Sequence, residues 1–288
     1  MKLTKNITKY LNNKLRGGEV NERGNKYEAY FTTYKIAESI NLYPTKTDLI
    51  FISSQEYAFV DDLLIINNGN RTLFQLKSSK KLKWGLARKL KTLNFDFSIQ
   101  RRIEIFHKRN FRLCLVVANN TLQNNLIKVL PLQLKSCTNI VLFKYNDTIQ
   151  KQIINDPFFR SELEKLIAFK SPTVDKLESL ASTILGVWNA TNKKNIILED
   201  IYLKLEQIGY SFIKPRVIVD INIATKAVLD LIPDFIYVCN NNYLTWSYKT
   251  FDKGVIPYQI GSVEFVNIER EIQGIAPKNF LTLEKIIA

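Results

Sequence analysis

The chain has 288 residues, of which 46% are hydrophobic, and its formal net charge at pH 7 is +14. This length and composition are typical of a globular protein with a substantial buried core. There is no run of 18 apolar residues that would predict a membrane span. The N-terminus has no apolar stretch of the kind found in signal peptides, so we expect a cytoplasmic protein.

The cysteine and histidine content excludes several kinds of site. The three cysteines, Cys114, Cys137 and Cys239, lie far apart without CxxC spacing, so we expect neither a zinc site nor a disulfide framework. The single histidine, His107, closes a helical pattern, and no nucleophile-elbow motif accompanies it. We therefore expect a helix-end role for His107, and we exclude His–Cys zinc chemistry and HNH-type nuclease chemistry.

The positive charge is concentrated in the first part of the chain. Residues 1–170 hold 29 Lys and Arg against 14 Asp and Glu, whereas residues 171–288 hold 12 against 13. A basic surface attracts polyanions such as nucleic acid. The balance changes at Ser171-Pro172-Thr173. We therefore predict one domain at 1–170 and a second, α+β region at 171–288 with a partner-binding or regulatory role.

Hydrophobic periodicity predicts an alternation of helices and strands. Residues 1–20 are consistent with either a short helix or a loose arm, and the first clear helical pattern follows them. The elements predicted up to residue 169 are a helix at 25–40, strands at 49–53, 57–66 and 71–78, a helix at 86–107, a buried strand at 112–118, a helix at 122–129, a strand at 140–143 and helical segments at 148–169. The strand–helix–strand step requires a crossover, so the pattern predicts an α/β fold with a partly parallel, mixed sheet.

The second region begins with helical patterns and ends in strand-like stretches. Helices are predicted at 174–188 and 198–208, and a hairpin is predicted from strands at 235–239 and 243–248. Trp246 and Tyr248 share a face of this hairpin. That face fits either a stacking surface for bases or a half-buried sheet.

A tight hairpin places polar residues opposite each other in the first domain. Asn68-Gly69 lies between two apolar runs and predicts a two-residue type I′ turn. Such a turn pairs Asn67 with Asn70, and it brings Asp62 directly opposite Gln75.

The same register assigns the neighbouring residues to faces of the sheet. Lys77 is two residues beyond Gln75 and therefore shares its face. Asp61 falls on the other face, which otherwise carries apolar side chains, so we favour Asp62 over Asp61 as the functional carboxylate. A turn of three or four residues would reverse this assignment, because a one-residue slip exchanges the two faces.

These residue types are suited to phosphodiester hydrolysis. A hard cation such as Mg²⁺ binds the phosphate and activates water, and its preferred ligands are carboxylate and amide oxygens. A nearby lysine stabilises charge at the phosphorus or orients the attacking water. Asp62 and Gln75 are therefore candidate ligands for Mg²⁺ or Mn²⁺, and Lys77 is a candidate catalytic residue.

The spacing of Asp62, Gln75 and Lys77 resembles the D…(D/E/Q)xK signature of PD-(D/E)XK nucleases. The resemblance covers about residues 20–145 and includes Gly24-Asn25-Lys26-Tyr27-Glu28 and Phe74-Gln75-Leu76-Lys77. It implies a restriction-endonuclease-like αβββαβ core. These enzymes usually place a glutamate on the helix before the first strand, where it acts as a further catalytic residue and metal ligand, and Glu28 matches that position. The closest resemblance is to the QxK subgroup found in bacterial anti-phage effectors of the CBASS and Lamassu types.

The resemblance implies a DNA endonuclease that depends on Mg²⁺ or Mn²⁺, acts in prokaryotic defence and works with a partner subunit or as a homo-oligomer. Two alternatives are a non-catalytic nucleic-acid-binding subunit and a DNA-processing enzyme such as a junction resolvase. Glu28 also fits a capping box that would start a helix at Asn25. A basic run that begins near the site has a natural role in contacting phosphates, although a solvated surface is an equal alternative. The candidate DNA contacts in this run are Lys80, Lys81, Lys83, Arg88 and Lys89.

Overall fold

The computed structural model describes residues 5–44, 46–79, 81–90, 92–208, 212–215, 220–240, 242–249 and 252–287. The chain forms two compact units, Met1–Phe212 (unit 1) and Ile213–Ala288 (unit 2). Among the described helices, none has both the length and the apolar character that crossing a membrane would require.

Unit 1 begins with a long helix and then alternates strands and helices. Its helices are α1 (Lys5–Leu42), α2 (Leu93–Phe106), α3 (Asn120–Lys128), α4 (Ile149–Asn155), α5 (Pro157–Leu166), α6 (Val174–Asn189) and α7 (Leu198–Ile208). Its strands are β1 (Ile50–Ser54), β2 (Leu63–Asn67), β3 (Asn70–Lys77), β4 (Phe111–Val117), β5 (Thr138–Leu142) and β6 (Ile196–Ile197). Short 3₁₀ turns lie at Thr47–Leu49 and Leu132–Leu134.

The described strands of unit 1 form one mixed sheet in the order β5-β4-β3-β2-β1-β6. The three strands from β1 to β3 pair antiparallel, and β3, β4 and β5 pair parallel. The parallel pairs arise because the connections through α2 and α3 return the chain to the end of the sheet at which the previous strand began. The predicted α/β class with a mixed sheet is therefore confirmed.

Helices cover both faces of this sheet. On one face α1 packs its aromatic side chains, and the rings of Phe31 and Phe74 lie 5.3 Å apart. On the other face α2 and α3 contribute Phe97 and Leu126 to a buried cluster with Leu73 of β3. The alternation of apolar side chains along β3 therefore supplies two cores, one on each side of the sheet.

Several element boundaries differ from the sequence prediction. Helix α1 starts at Lys5 rather than near residue 25, and the chain before residue 25 contains no proline to stop it. Helix α2 starts at Leu93 rather than at Leu86, because the Thr92 side chain accepts a hydrogen bond from the Phe95 backbone and caps the helix there. His107 is the C-cap residue of α2, as expected.

The boundary between the two units lies at Phe212, whereas the sequence placed it between residues 170 and 171. The reason is that α6 and α7 pack on α1, and α6 also packs on α4 and α5. In addition, β6 extends the sheet by pairing with β1. The loss of net positive charge after residue 170 is therefore a change in surface composition within unit 1, and it does not mark the end of that unit.

Unit 2 contains a small antiparallel sheet packed against helices. Its elements are α8 (Ile223–Leu229), β7 (Phe235–Asn240), β8 (Tyr243–Tyr248), β9 (Asp252–Val255), α9 (Val263–Ile275) and α10 (Phe280–Ile287). The predicted hairpin of β7 and β8 is present, but the end of the chain is helical and not strand-like. Trp246 and Tyr248 pack on Phe280, with ring centroids 5.2 and 4.2 Å apart, so their shared face contributes to packing within the unit.

Candidate active site

The hairpin between β2 and β3 has the predicted turn and register. Asn67 pairs with Asn70, and Leu63 pairs with Phe74. Asn68 and Gly69 have φ angles of 46° and 79°, which are the two left-handed conformations that a type I′ turn needs. This register brings Asp62, which immediately precedes β2, alongside the end of β3.

The Asp62 carboxylate is fixed by contacts with β3. Its Oδ2 accepts hydrogen bonds from Gln75 Nε2 at 2.5 Å and from the Leu76 backbone N–H at 2.6 Å. Asp62 and Gln75 are both buried, at 9% and 6% exposure. Asp62 rather than Asp61 is therefore the acid that contacts Gln75, as the register predicted.

This contact leaves oxygen atoms of both side chains available. Within the described residues, Asp62 Oδ1 and Gln75 Oε1 accept no hydrogen bond. The amide of Gln75 donates through nitrogen to Asp62, so its carbonyl oxygen remains an acceptor. The pair therefore keeps one carboxylate oxygen and one amide oxygen as acceptors; Asp62 lines the cavity described next, whereas Gln75 lies behind it in contact with Asp62 and is not among the lining residues.

Glu28 lies in the same site as Asp62. Both line a cavity of about 980 Å³ enclosed by α1, the end of β1 and the end of α6. The other lining residues are Glu22, Asn25, Lys26, Ala29, Thr32, Ser54, Gln55, Trp188, Asn189 and Lys193. Glu28 is in the interior of α1, so the capping-box alternative for it is wrong.

The environment of Glu28 favours its protonated form. Burial, and after it the negative charge of Asp62, raise the pKa of Glu28 to about 7 against the opposing positive charge of Lys77. Gln55 Nε2 donates a hydrogen bond to Glu28 Oε2 at 3.2 Å. Burial also raises the pKa of Asp62 above its ordinary value. Because the charge of Asp62 disfavours the ionisation of Glu28, a cation bound beside both carboxylates would stabilise their charged forms.

Lys77 is the last residue of β3 and is half-buried. In the described part of the chain it forms no salt bridge, and it is not among the residues that line the cavity. Burial raises the pKa values of Glu28, Asp62 and Asp96, and the positive charge of Lys77 offsets part of each increase. Lys77 therefore lies within electrostatic reach of three carboxylates without being paired to one of them.

The predicted DNA contacts lie in the irregular segment before α2 and not on a helix. Those that the structure describes are all exposed, namely Lys81, Lys83, Arg88 and Lys89. Lys80 lies outside the described residues. Trp84 is buried and donates a hydrogen bond from Nε1 to the Leu126 backbone oxygen at 3.1 Å, so it is a core residue.

Part of the cavity wall comes from residues that the sequence did not indicate. The end of α6 contributes Trp188 and Asn189, and the segment after it contributes Lys193. The sequence pattern had assigned α6 to another domain. The Ser54 backbone N–H donates to the Lys193 oxygen at 2.9 Å, and this bond holds the wall against the end of β1. Gln55 was also missed, because a polar residue after a strand is too common to mark a site.

The donor set fits a divalent metal ion that keeps part of its hydration shell. Among the described residues there is no group of three or more His, Cys, Asp or Glu side chains that could hold a metal ion. The candidate ligands are instead the carboxylates of Asp62 and Glu28, which line one cavity, and the amide oxygen of Gln75, whose side chain contacts Asp62. Mg²⁺ commonly binds through one or two carboxylates and fills its remaining positions with water and substrate phosphate, so these residues suit Mg²⁺ or Mn²⁺.

No protein-family model, no curated protein and no solved structure matches this chain.

Proposed function

We propose that this chain is a metal-dependent endonuclease that hydrolyses phosphodiester bonds in DNA. The observation that carries the proposal is the buried contact between Asp62 and Gln75, with Glu28 in the same cavity and the charge of Lys77 acting on both acids. The element order α1-β1-β2-β3-α2-β4 supports a core like that of PD-(D/E)XK nucleases.

Asp62, Gln75 and Glu28 are the residues that would hold the metal. When bound, a divalent cation neutralises phosphate charge and lowers the pKa of a coordinated water. The two N–H groups on Asp62 Oδ2 orient this carboxylate before any substrate arrives, so its geometry costs no reorganisation during the reaction.

Lys77 and Glu28 have separate roles in this proposal. The Lys77 ammonium, which has no fixed partner in the described residues, donates to a phosphate oxygen or to the attacking water. Glu28, with a pKa raised to about 7 in the metal-free protein, loses its proton when a cation is close and then serves as a ligand of that cation.

DNA is the proposed substrate because of the charge beside the site. Between Ser78 and Phe95 the chain carries six lysines and arginines and no acidic residue. Such a segment binds the phosphate backbone independently of sequence. A role as an effector in anti-phage defence, with unit 2 binding a partner subunit or a second copy, follows from the resemblance alone and is proposed on that basis.

A second candidate is a DNA-binding subunit without catalytic activity. It is favoured by the way Gln75 and Leu76 occupy Asp62 Oδ2, which leaves one oxygen of that carboxylate for a cation. This candidate predicts DNA binding that persists without any metal-dependent cleavage.

The test is cleavage of supercoiled plasmid DNA by the full-length protein with Mg²⁺ or Mn²⁺. We expect the wild type to nick the plasmid, and we expect Asp62→Asn and Lys77→Ala to lower the rate by at least about 100-fold. Lys128→Ala, at the exposed end of α3, is the matched control and should retain the wild-type rate within about threefold.

A wild type that binds DNA but never cleaves it would favour the non-catalytic subunit. Equal cleavage by wild type, Asp62→Asn and Lys77→Ala would contradict the assignment of the site, because the activity would then come from elsewhere or from a contaminant.

A further inference from the structure

Two leucines are exposed in the last part of the connection between β3 and α2. Leu86 and Leu90 are 73% and 69% exposed, although a helix over these residues would have given them one common face. The loop consists of residues 84–90 and Thr92 and is called the leucine loop below. Single exposed apolar side chains are common on protein surfaces, but these two lie within one short segment that also carries the exposed Arg88 and Lys89.

The leucine loop is held in a defined shape by contacts at its base. Trp84 anchors one end in the core, and its backbone oxygen accepts a hydrogen bond from Asn94 N–H at 2.9 Å. The Thr92 hydroxyl lies 2.8 and 2.9 Å from the backbone oxygens of Leu86 and Lys89. The two leucines are therefore presented on a constrained turn.

A glycine closes the base of this loop. Gly85 has a φ angle of 70°, and a Cβ added there would lie 2.9 Å from the Thr92 Cβ. Both the backbone conformation and the close approach to Thr92 require glycine. The sequence therefore specifies this turn through Gly85 and Thr92.

The charge around the leucines identifies the kind of partner. Arg88 and Lys89 are exposed between Leu86 and Leu90, and no acidic residue occurs between Ser78 and Phe95. A partner for this surface combines negative charge with an accessible apolar interior. Duplex DNA has both, since phosphates flank stacked bases.

The leucine loop lies beside the candidate active site. Thr92 caps α2, and Asp96 is in the first turn of that helix. The ring of Phe95, in the same turn, lies 6.0 Å from the ring of Phe59, which is three residues before Asp62, so the start of α2 packs on the segment that leads to the site. A DNA strand held at the site would therefore pass close to the loop.

We propose that Leu86 and Leu90 form a wedge that inserts between base pairs of DNA bound at the active site, while Arg88 and Lys89 hold the adjacent phosphates. Apolar side chains used in this way partly unstack a base step and bend the duplex. The inference rests on the proposed function for its substrate class. It adds that the enzyme deforms the duplex near the bond it cleaves.

The test uses full-length protein in EDTA and duplex oligonucleotides with 2-aminopurine at successive positions. We expect wild-type protein to raise the fluorescence at one base step at least twofold, because 2-aminopurine brightens when it is unstacked. The Leu86→Lys variant and the Leu86→Ala/Leu90→Ala double variant should lose this increase. Leu86→Lys should bind DNA at least as tightly as the wild type, because it keeps Arg88 and Lys89 and adds one positive charge.

Leu42→Ala is the matched control, since Leu42 is 61% exposed at the C-terminal end of α1. It should give the wild-type fluorescence increase. An unchanged increase in Leu86→Lys would overturn the proposal, and so would a wild type that binds DNA without any increase. Leucine-dependent binding to vesicles containing anionic lipid, with no signal on DNA, would also overturn it in favour of a membrane surface.

The outcomes separate this inference from the proposed function. Lys77→Ala should retain the fluorescence increase while losing cleavage. Unstacking without cleavage by wild type would contradict the nuclease but support the wedge. Cleavage without unstacking would contradict the wedge and leave the nuclease supported.

Discussion

Asp62 shows how a short hairpin can prepare a carboxylate for function. Two N–H groups from β3 hold its Oδ2, and its other oxygen accepts no hydrogen bond within the described residues. Burial raises the pKa of Asp62, and burial together with the negative charge of Asp62 raises the pKa of the second acid, Glu28, because like charges repel. The cost of keeping both acids close is a loss of stability when they are charged, which a bound cation would offset.

The pH dependence of stability tests this description of Glu28. Its pKa is about 7 in the folded state against 4.5 for the unperturbed group, so the folded protein binds this proton more tightly. The stabilisation is fully present below pH 4.5 and is lost as the pH rises through 7. Glu28→Gln removes the titration, so we expect its melting temperature to rise relative to wild type between pH 5 and pH 8.

The measurement is thermal unfolding in EDTA at pH 5, 6, 7 and 8. Glu164→Gln is a suitable control, because Glu164 lies in a partly exposed pair with Arg160 on α5. A difference between Glu28→Gln and wild type that stays constant over this range would contradict the raised pKa.

At the scale of elements, the hairpin of β2 and β3 was predictable because its determinants are local. Asn68-Gly69 specifies the turn, and strict alternation then assigns every face. The start of α2 was not predictable in the same way. Leu86 and Leu90 have helical spacing, and only the packing of Trp84 and the cap at Thr92 show that the helix begins later.

The cavity wall formed by the end of α6 was also beyond the reach of the sequence. Trp188 and Lys193 reach the site only because α6 packs on α1 and β6 extends the sheet next to β1. No local pattern encodes such a tertiary arrangement. The residues predicted for the site were therefore those within one hairpin and one helix, and the missed residues came from distant segments.

A buried ionic network joins β3 to α2 and gives a test at this scale. Glu104 is fully buried, accepts a hydrogen bond from Gln100 at 2.7 Å and lies 3.2 Å from Arg71 Nε and 3.6 Å from Arg109 Nη1. Removing one partner of a buried pair leaves an uncompensated charge. We expect Glu104→Ala to lower the free energy of unfolding by about 3 kcal/mol, the lower end for buried pairs, because both arginines are partly exposed.

Urea unfolding at pH 7 measures this effect. The comparison is Glu164→Ala, which breaks the more exposed pair with Arg160 and should cost less than about 1 kcal/mol. Equal losses for the two variants would show that Glu104 does not connect the elements as described.

At the scale of the whole molecule, the sequence correctly indicated a second region but placed its start too early. Charge composition reports on surfaces, whereas a unit boundary is set by packing. Helices α6 and α7 bury a set of large apolar side chains within unit 1, namely Leu177, Leu180, Ile184, Trp188, Leu198, Ile201 and Leu205.

Truncation distinguishes the two boundaries. A chain of residues 1–212 should unfold cooperatively, whereas a chain of residues 1–170 loses the partners of that apolar set. Each large side chain contributes about 1.5–3 kcal/mol when buried, so the total loss of roughly 10 kcal/mol or more is comparable with the entire stability of a typical domain. Circular dichroism during heating provides the measurement. Cooperative unfolding of the 1–170 chain would contradict the placement of α6 and α7 in unit 1.

Titration of the metal-free protein with Mn²⁺ in a calorimeter tests most directly whether Asp62, Gln75 and Glu28 form one site for a divalent cation. We expect one site per chain in the wild type, at least tenfold weaker binding in Asp62→Asn, and binding by Lys77→Ala that is equal to or tighter than in the wild type, because that variant removes a positive charge near the site. The absence of Mn²⁺ binding in the wild type, or equal affinity in Asp62→Asn, would contradict the claim.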